Sequence, residues 1–249
     1  MAVMPLLECF VRGDVDPEVL MLAAQGALAP RADEQLAILV YLVTNDETQI
    51  ATVANQTIAA LPTEAIGGLL ARPDTSEQVL TFFAGRGITP GTEATENVEA
   101  PLVDTGDAAE PADGKIPISA MTVPQRLKRA MKGTREERAV LVRDPNRMIA
   151  AAVLSSPKVN DSEIEAFARM GNVSEDVLRT ISRNRSWMRR VAVATALVKN
   201  PKTPTAISLT LLPRMSPRDI KTLSTDRNVP EALRLNARKM MQKQQDRQK

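Results

Sequence analysis

The chain has 249 residues, of which 43% are hydrophobic and only 2% aromatic, and its formal net charge is +2. It contains no histidine and one cysteine, Cys9, which excludes histidine-based catalysis, an intrachain disulfide and a cysteine-based zinc or iron–sulfur site. The small net charge conceals two opposite halves: residues 1–114 hold 4 Lys and Arg against 18 Asp and Glu, and residues 115–249 hold 28 against 12.

Residues 1–86 are predicted to form a small acidic helical domain. Apolar residues from Ile50 to Leu61 recur at helical spacing, and Leu36 to Val43 is apolar on all sides, as in a central helix. Thr75 and Gln78 fit a capping box that opens the next helix. The first residues lack the pattern of a secretory signal, and the most apolar run has only eight residues, so we expect no membrane span and a cytoplasmic location.

Residues 87–114 contain no Lys or Arg, and seven Asp and Glu are scattered among Gly, Pro, Thr and Ala. No apolar periodicity is present. Such a composition buries too little surface to offset the entropy of ordering, so this segment is predicted to be a disordered acidic linker.

Residues 115–241 repeat a helical pattern, and residues 242–249 form a polar tail. Capping hydroxyls at Thr134, Ser174 and Ser216 are followed by an acid in the first turn, at spacings of 40 and 42 residues. Each helix ends at a similar junction: Leu141-Val-Arg-Asp144, Ile181-Ser-Arg-Asn184 and Leu223-Ser-Thr-Asp226. The next helix then shows an apolar residue four positions before an alanine, at Met148/Ala152, Met188/Ala192 and Leu233/Ala237. A period near 40 with paired helices is typical of a stacked α-solenoid.

The segments that run from these junctions into Pro157-Lys158 and into Lys199-Asn-Pro-Lys-Thr-Pro204 resemble HEAT-like and leucine-rich-variant helical repeats of the armadillo-type fold. The resemblance covers about residues 120–241, with a faint echo near Asp46. It implies an all-α solenoid that serves as an interaction scaffold, without a cofactor. Ile149 departs from the pattern, since these repeats usually carry arginine there.

The best candidates for partner or anion binding are basic residues at or near the junctions, because stacked repeats place equivalent positions on one edge. Arginine also pairs bidentately with carboxylates and phosphates. These candidates, with the only tryptophan, are Arg143, Arg147, Arg183, Arg185, Trp187, Arg190, Lys202 and Arg227.

Several of these residues have a structural alternative. Trp187 either stacks on a ligand from an exposed position or fills a repeat interface. Arg189 and Arg234 either bind a partner or form an internal ladder between repeats. The acidic pairs at Glu136/Glu137 and Glu163/Glu165 suit helix capping better than acid–base catalysis.

Three functions remain open at this point. We expect a non-enzymatic adaptor that binds an acidic protein through its basic edge. The acidic half of the same chain would mask this edge, or it would pair with the basic edge of another copy. The alternative is a nucleic-acid-binding protein that uses the same edge, with an affinity that falls about a thousandfold between 50 and 200 mM salt. A remote alternative is a HEAT-like DNA glycosylase that uses Trp187, Arg183 and Asp226.

Overall fold

The computed structural model describes residues 3–13, 15–28, 30–45, 49–95, 98, 100–103 and 116–246. All regular structure within these ranges is helical, which confirms the all-α class. None of the described helices is long and apolar enough to cross a membrane.

The chain divides into two compact units. Unit 1 comprises residues 1–141 and 146–159, and unit 2 comprises residues 142–145 and 160–249. The first helices of the basic half therefore belong to the same unit as the acidic half.

Unit 1 contains nine described α-helices and a short 3-10 turn at Ile118–Ala120. The helices are α1 (Pro5–Arg12), α2 (Pro17–Ala24), α3 (Ala32–Asn45), α4 (Gln49–Ala59), α5 (Thr63–Leu70), α6 (Glu77–Ala84), α7 (Val123–Lys132), α8 (Arg135–Leu141) and α9 (Arg147–Ser155).

The centre of unit 1 is α3, which contacts α1, α2, α4 and α6. Residues Leu36–Val40 and Leu42 are buried, as predicted for a helix that is apolar on all sides. At the start of α6, the cap is Ser76, whose Oγ accepts a hydrogen bond from the Val79 amide (3.4 Å). The predicted cap Thr75 instead donates its hydroxyl to the carbonyl of Leu69 (2.7 Å).

The predicted linker differs from the expectation where it is described. Residues 88–95, 98 and 100–103 belong to unit 1 and form backbone hydrogen bonds with its other elements, for example from the Gly91 amide to the Gly67 carbonyl (2.9 Å). Backbone bonding of this kind needs no apolar side chains, which explains why composition did not reveal it. The rest of the predicted linker, residues 96, 97, 99 and 104–114, lies outside the described residues.

Unit 2 contains seven described α-helices and a 3-10 turn at Leu212–Arg214. The helices are α10 (Asp161–Arg169), α11 (Glu175–Arg183), α12 (Arg185–Met188), α13 (Val191–Lys199), α14 (Thr205–Leu211), α15 (Pro217–Leu223) and α16 (Glu231–Asp246).

The three predicted caps are confirmed. Hydroxyls of Thr134, Ser174 and Ser216 accept hydrogen bonds from the backbone amide three residues later, at 3.3, 3.4 and 3.1 Å. Each bond satisfies an amide that has no partner within its own helix.

Candidate functional site

The densest group of candidates lies at the junction between α11 and α12 in unit 2. Asn184 ends α11 and caps α12, since its Oδ1 accepts hydrogen bonds from the amides of Ser186 (3.0 Å) and Trp187 (3.3 Å). The chain therefore changes direction around one side chain. This cap fixes the backbone on which Arg183 and Arg185 stand.

Trp187 lies inside this junction and is only 5% exposed. Its neighbour Met188 is also buried, and the Met188 carbonyl accepts a hydrogen bond from Nη2 of Arg214 (2.6 Å). Of the two alternatives for Trp187, the structure supports packing within the fold and not exposed stacking. The sequence did not predict this role of Arg214, because a hydrogen bond from a guanidinium to the end of a helix distant in sequence leaves no pattern in the neighbouring residues.

The arginines around Trp187 are exposed but have different surroundings. Nε of Arg190 lies 2.7 Å from Oδ2 of Asp161, so this arginine forms an exposed ion pair. Arg183 also interacts with another described residue. Arg185 and Arg189 are exposed, and neither side chain makes a hydrogen bond or ion pair with the described part of the chain.

The internal ladder expected as an alternative for Arg189 and Arg234 is not present among the described residues, since neither side chain makes an ion pair there. The ion pairs of unit 2 that link residues distant in sequence use other partners. Examples are Arg190–Asp161 and Lys199–Asp219, the latter at 2.8 Å. Exposed pairs of this kind contribute little to stability.

The other junctions carry the remaining arginines. Arg227 is exposed beside Asp226, whose Oδ1 accepts a hydrogen bond from the Asn228 amide (2.9 Å). Arg143, in unit 2, and Arg147, the first residue of α9 in unit 1, are also exposed, and both interact with other described residues. Alignment of these junctions along one edge stays a prediction.

Lys202 has a structural partner. Its Nζ lies 3.3 Å from the Val173 carbonyl, and its amide donates to Oδ1 of Asn200 (3.0 Å). Lys158 in unit 1 is arranged in the same way: Nζ donates to the Lys132 carbonyl (2.7 Å), and its amide donates to Oγ of Ser156 (3.3 Å). In both Pro-Lys loops the lysine thus binds a backbone carbonyl of a preceding element, a contact that we call a polar tie: Lys158 binds the last residue of α7, and Lys202 binds the loop between α10 and α11.

The residue two positions before each lysine completes this tie. Oγ of Ser156 donates to the carbonyl of Met131 at the end of α7 (2.6 Å). Nδ2 of Asn200 donates to the carbonyls of Ala168 (2.8 Å) and Met170 (3.0 Å) at the end of α10. In unit 1, α9 packs against α7, and in unit 2, α13 packs against α10. The same helix pairing therefore occurs in both units, with the same polar contact at its end.

The observed equivalence corrects the predicted register. Ala192, predicted to match Ala152, is exposed, whereas Ala152 and Ala196 are both buried. The buried residues of α9 match those of α13 at a spacing of 44, not 40: Ile149 with Val193, Ala150 with Ala194, Ala152 with Ala196, Val153 with Leu197 and Leu154 with Val198. The short helix α12 accounts for the four additional residues.

Three of the four acids, Glu136, Glu137 and Glu163, act at helix starts, whereas Glu165 forms an ion pair with Arg169 one turn further along α10. Hydrogen bonds from its own backbone amide and from the Thr134 hydroxyl lower the pKa of the exposed Glu136. Glu137 Oε2 accepts from the Thr134 amide (2.7 Å), and Glu163 Oε2 accepts from the Asn160 amide (3.3 Å). These contacts are those of capping boxes. Among the described residues, no group of three or more acidic or cysteine side chains is arranged to hold a metal ion.

The charge of unit 2 is strongly positive, with 19 Lys and Arg against 10 Asp and Glu in residues 142–145 and 160–249. Comparison of the chain with protein-family models, curated proteins and solved structures gave no match.

Proposed function

We propose that the chain is a non-enzymatic interaction scaffold built on HEAT-like helical repeats, which binds an acidic protein partner through the arginine-bearing junctions of unit 2. The polar tie shared by α7–α9 and α10–α13 supports the repeat assignment, because independent helices have no reason to reproduce both a helix pairing and its terminal contact.

The observation that carries the binding proposal is the exposure of Arg185 on a rigid support. Trp187 is buried beneath this junction, and Asn184 caps the short helix that begins at Arg185. A guanidinium on a fixed backbone loses less conformational freedom on binding than one on a mobile loop. Its planar donors suit a carboxylate in a bidentate arrangement.

Arg227 extends the same chemistry to the next junction of unit 2. It is exposed, and its side chain makes no hydrogen bond or ion pair with the described residues. Two such arginines on one positively charged unit favour a partner with several carboxylates. Pairs of opposite charges at the rim of an interface mainly set the association rate and its dependence on salt.

The test is direct binding of a fluorescein-labelled acidic peptide, for example a Glu-rich 20-mer, to the full chain by fluorescence anisotropy. Arg185→Glu/Arg227→Glu should weaken binding about tenfold or more. The matched control is Lys221→Glu/Lys239→Glu, which changes the charge of unit 2 equally at exposed positions outside the junctions. Equal losses in both variants would show that net charge, and not the junctions, is responsible.

A further inference from the structure

Part of the segment between α6 and α7 is hydrogen-bonded to other elements of unit 1 mainly through its backbone. We call residues 88–95, 98 and 100–103 the strap. The residues that contact it, which we call the track, are Gly26, Ala32, Gln35, Gly67, Gly68 and Arg72.

At its first end, the strap pairs with the carbonyls of α5. The amide of Gly91 donates to the carbonyl of Gly67 and the amide of Thr95 donates to the carbonyl of Gly68, both at 2.9 Å. Nη1 of Arg72 then donates to the carbonyl of Thr95 (2.9 Å). At this end the strap thus uses both backbone donors and a backbone acceptor.

At its second end, a buried side-chain amide performs the same task. Oε1 of Gln35 accepts from the amide of Val103 (2.9 Å), and Nε2 of Gln35 donates back to the carbonyl of Val103 (3.2 Å). Gln35 is 2% exposed, and its Nε2 also donates to the carbonyls of Gly26 and Leu28. The Ala32 amide donates to the carbonyl of Val98 (2.9 Å).

Glycines make this close approach possible. A Cβ on Gly26 would lie 2.9 Å from Cβ of Val103, and Gly26 also has a φ of +71°. A Cβ on Gly91 would lie 3.2 Å from the carbonyl carbon of Gly67, and one on Gly68 would collide with Oγ1 of Thr95. Both sides of the contact therefore depend on the absence of side chains.

The strap itself contributes little apolar burial. None of its described residues is buried, and none of its side chains makes a hydrogen bond with the described residues of the track. An element held in this way opens more readily than a helix of the core. Main-chain pairing also tolerates changes in sequence, with a few side-chain contacts setting specificity.

We propose that the track is a recognition site for an extended peptide segment of a partner protein, and that the strap occupies it in the absence of that partner. The segment that fits has a glycine where Gly91 approaches Gly67 and a valine-sized residue where Val103 covers Gly26. This site lies in unit 1 and does not depend on the arginine-bearing junctions of unit 2.

The test uses a labelled synthetic peptide with the sequence of residues 88–103, added to the full chain. Gly91→Val weakens the strap and leaves the track intact, so it should raise the affinity for the peptide about tenfold over the wild type. Gly171→Val is the control, because a Cβ at Gly171 meets nothing within 4 Å. Arg72→Ala in the Gly91→Val background should reduce the gain, because it removes the guanidinium that donates to the carbonyl of Thr95.

Amide exchange of the labelled wild-type chain gives an independent readout. With saturating unlabelled peptide, the amides of Gly91, Thr95 and Val103 should lose protection, whereas that of Ala32, which belongs to the track, should keep it. Unchanged affinity in Gly91→Val, or protection of all four amides at saturation, would overturn the proposal. A concentration-dependent dimer of Gly91→Val would also overturn it, since the occupant would then be the strap of a second copy.

Discussion

Among single residues, Glu34 has the most unusual environment. It is 2% exposed in α3, and its Oε1 accepts hydrogen bonds from the amides of Leu6 (2.7 Å) and Leu7 (3.1 Å). Met4, which precedes α1 at the cap position, provides no side-chain cap, so a carboxyl distant in sequence serves instead. Burial raises the pKa of Glu34 to about 7, and the nearby Ser155 hydroxyl and the hydrogen bonds from these amides oppose the rise.

This raised pKa makes stability depend on pH. The folded chain retains a proton on Glu34 that the unfolded chain releases near its ordinary pKa of 4.5. The associated stabilisation is complete below that pH and is lost as pH rises through about 7. The unfolding free energy of the wild type should therefore fall by about 3 kcal/mol between pH 5 and 8, and Glu34→Gln should abolish this fall.

Urea denaturation at several pH values checks this prediction, with Glu64→Gln at an exposed position as the control. Burial also raises the pKa of Asp33. The unfolding free energy of Glu34→Gln should therefore still fall slightly with rising pH, at lower pH values. A slope in Glu34→Gln as steep as in the wild type would contradict the assignment.

Asn200 provides a second prediction at the residue scale. It is 3% exposed, and its side-chain amide donates hydrogen bonds to the carbonyls of Ala168 and Met170. Asn200→Ala leaves both acceptors without this donor and should cost about 2–3 kcal/mol of unfolding free energy. The control Asn236→Ala removes an exposed bond to the Ala232 carbonyl and should cost less than about 1 kcal/mol. Equal costs would show that the tie at α10 does not stabilise unit 2.

At the scale of elements, the caps at Thr134, Ser174 and Ser216 and the central helix α3 followed from sequence, because capping hydroxyls and apolar periodicity act within a few residues. The cap of α6 was misplaced by one residue, at Thr75 instead of Ser76. The register of the second repeat did not follow. Met188 and Ala192 reproduce the spacing of Met148 and Ala152, but α12 shifts the buried face of α13 by one helical turn. A four-residue shift preserves helical periodicity, so the sequence pattern alone fits both registers.

The corrected register predicts opposite outcomes for two alanines of α13. Ala196→Gln places an amide in a buried position and should lower the unfolding free energy by about 2 kcal/mol or more. Ala192→Gln should change it by less than about 0.5 kcal/mol, because Ala192 is exposed. Thermal or urea denaturation of both variants distinguishes the registers. A larger loss of unfolding free energy in Ala192→Gln than in Ala196→Gln would support the register with a spacing of 40.

For the whole molecule, charge and composition placed a boundary near residues 87–114, whereas the contacts place α7, α8 and α9 with the acidic half in unit 1. Charge follows the chain, but packing follows apolar faces that meet from distant segments, such as α1 and α9. The exposed junction arginines were predictable from the sequence as a class. The burial of Trp187 was one of two alternatives that the sequence left open, and the strap was not predicted, because tertiary contacts decide both.

This division makes a truncation informative. A fragment of residues 116–249 lacks α1, against which α9 packs in unit 1. It should melt at a lower temperature than the full chain and bind a dye for exposed apolar surface such as ANS, since Ile149 and Val153 are fully buried in the complete chain. A fragment with the full chain's melting temperature and no ANS binding would contradict the assignment of α9 to unit 1.

The central claim is that the junction arginines of unit 2 bind an acidic protein. Its most direct measurement is co-purification of lysate proteins with the full chain after nuclease treatment, in parallel with Arg185→Glu/Arg227→Glu and the control Lys221→Glu/Lys239→Glu. We expect a specific acidic protein that survives nuclease, is lost with the junction variant and is retained by the control. Capture that nuclease abolishes would favour nucleic acid as the ligand, and retention by the junction variant would contradict the claim.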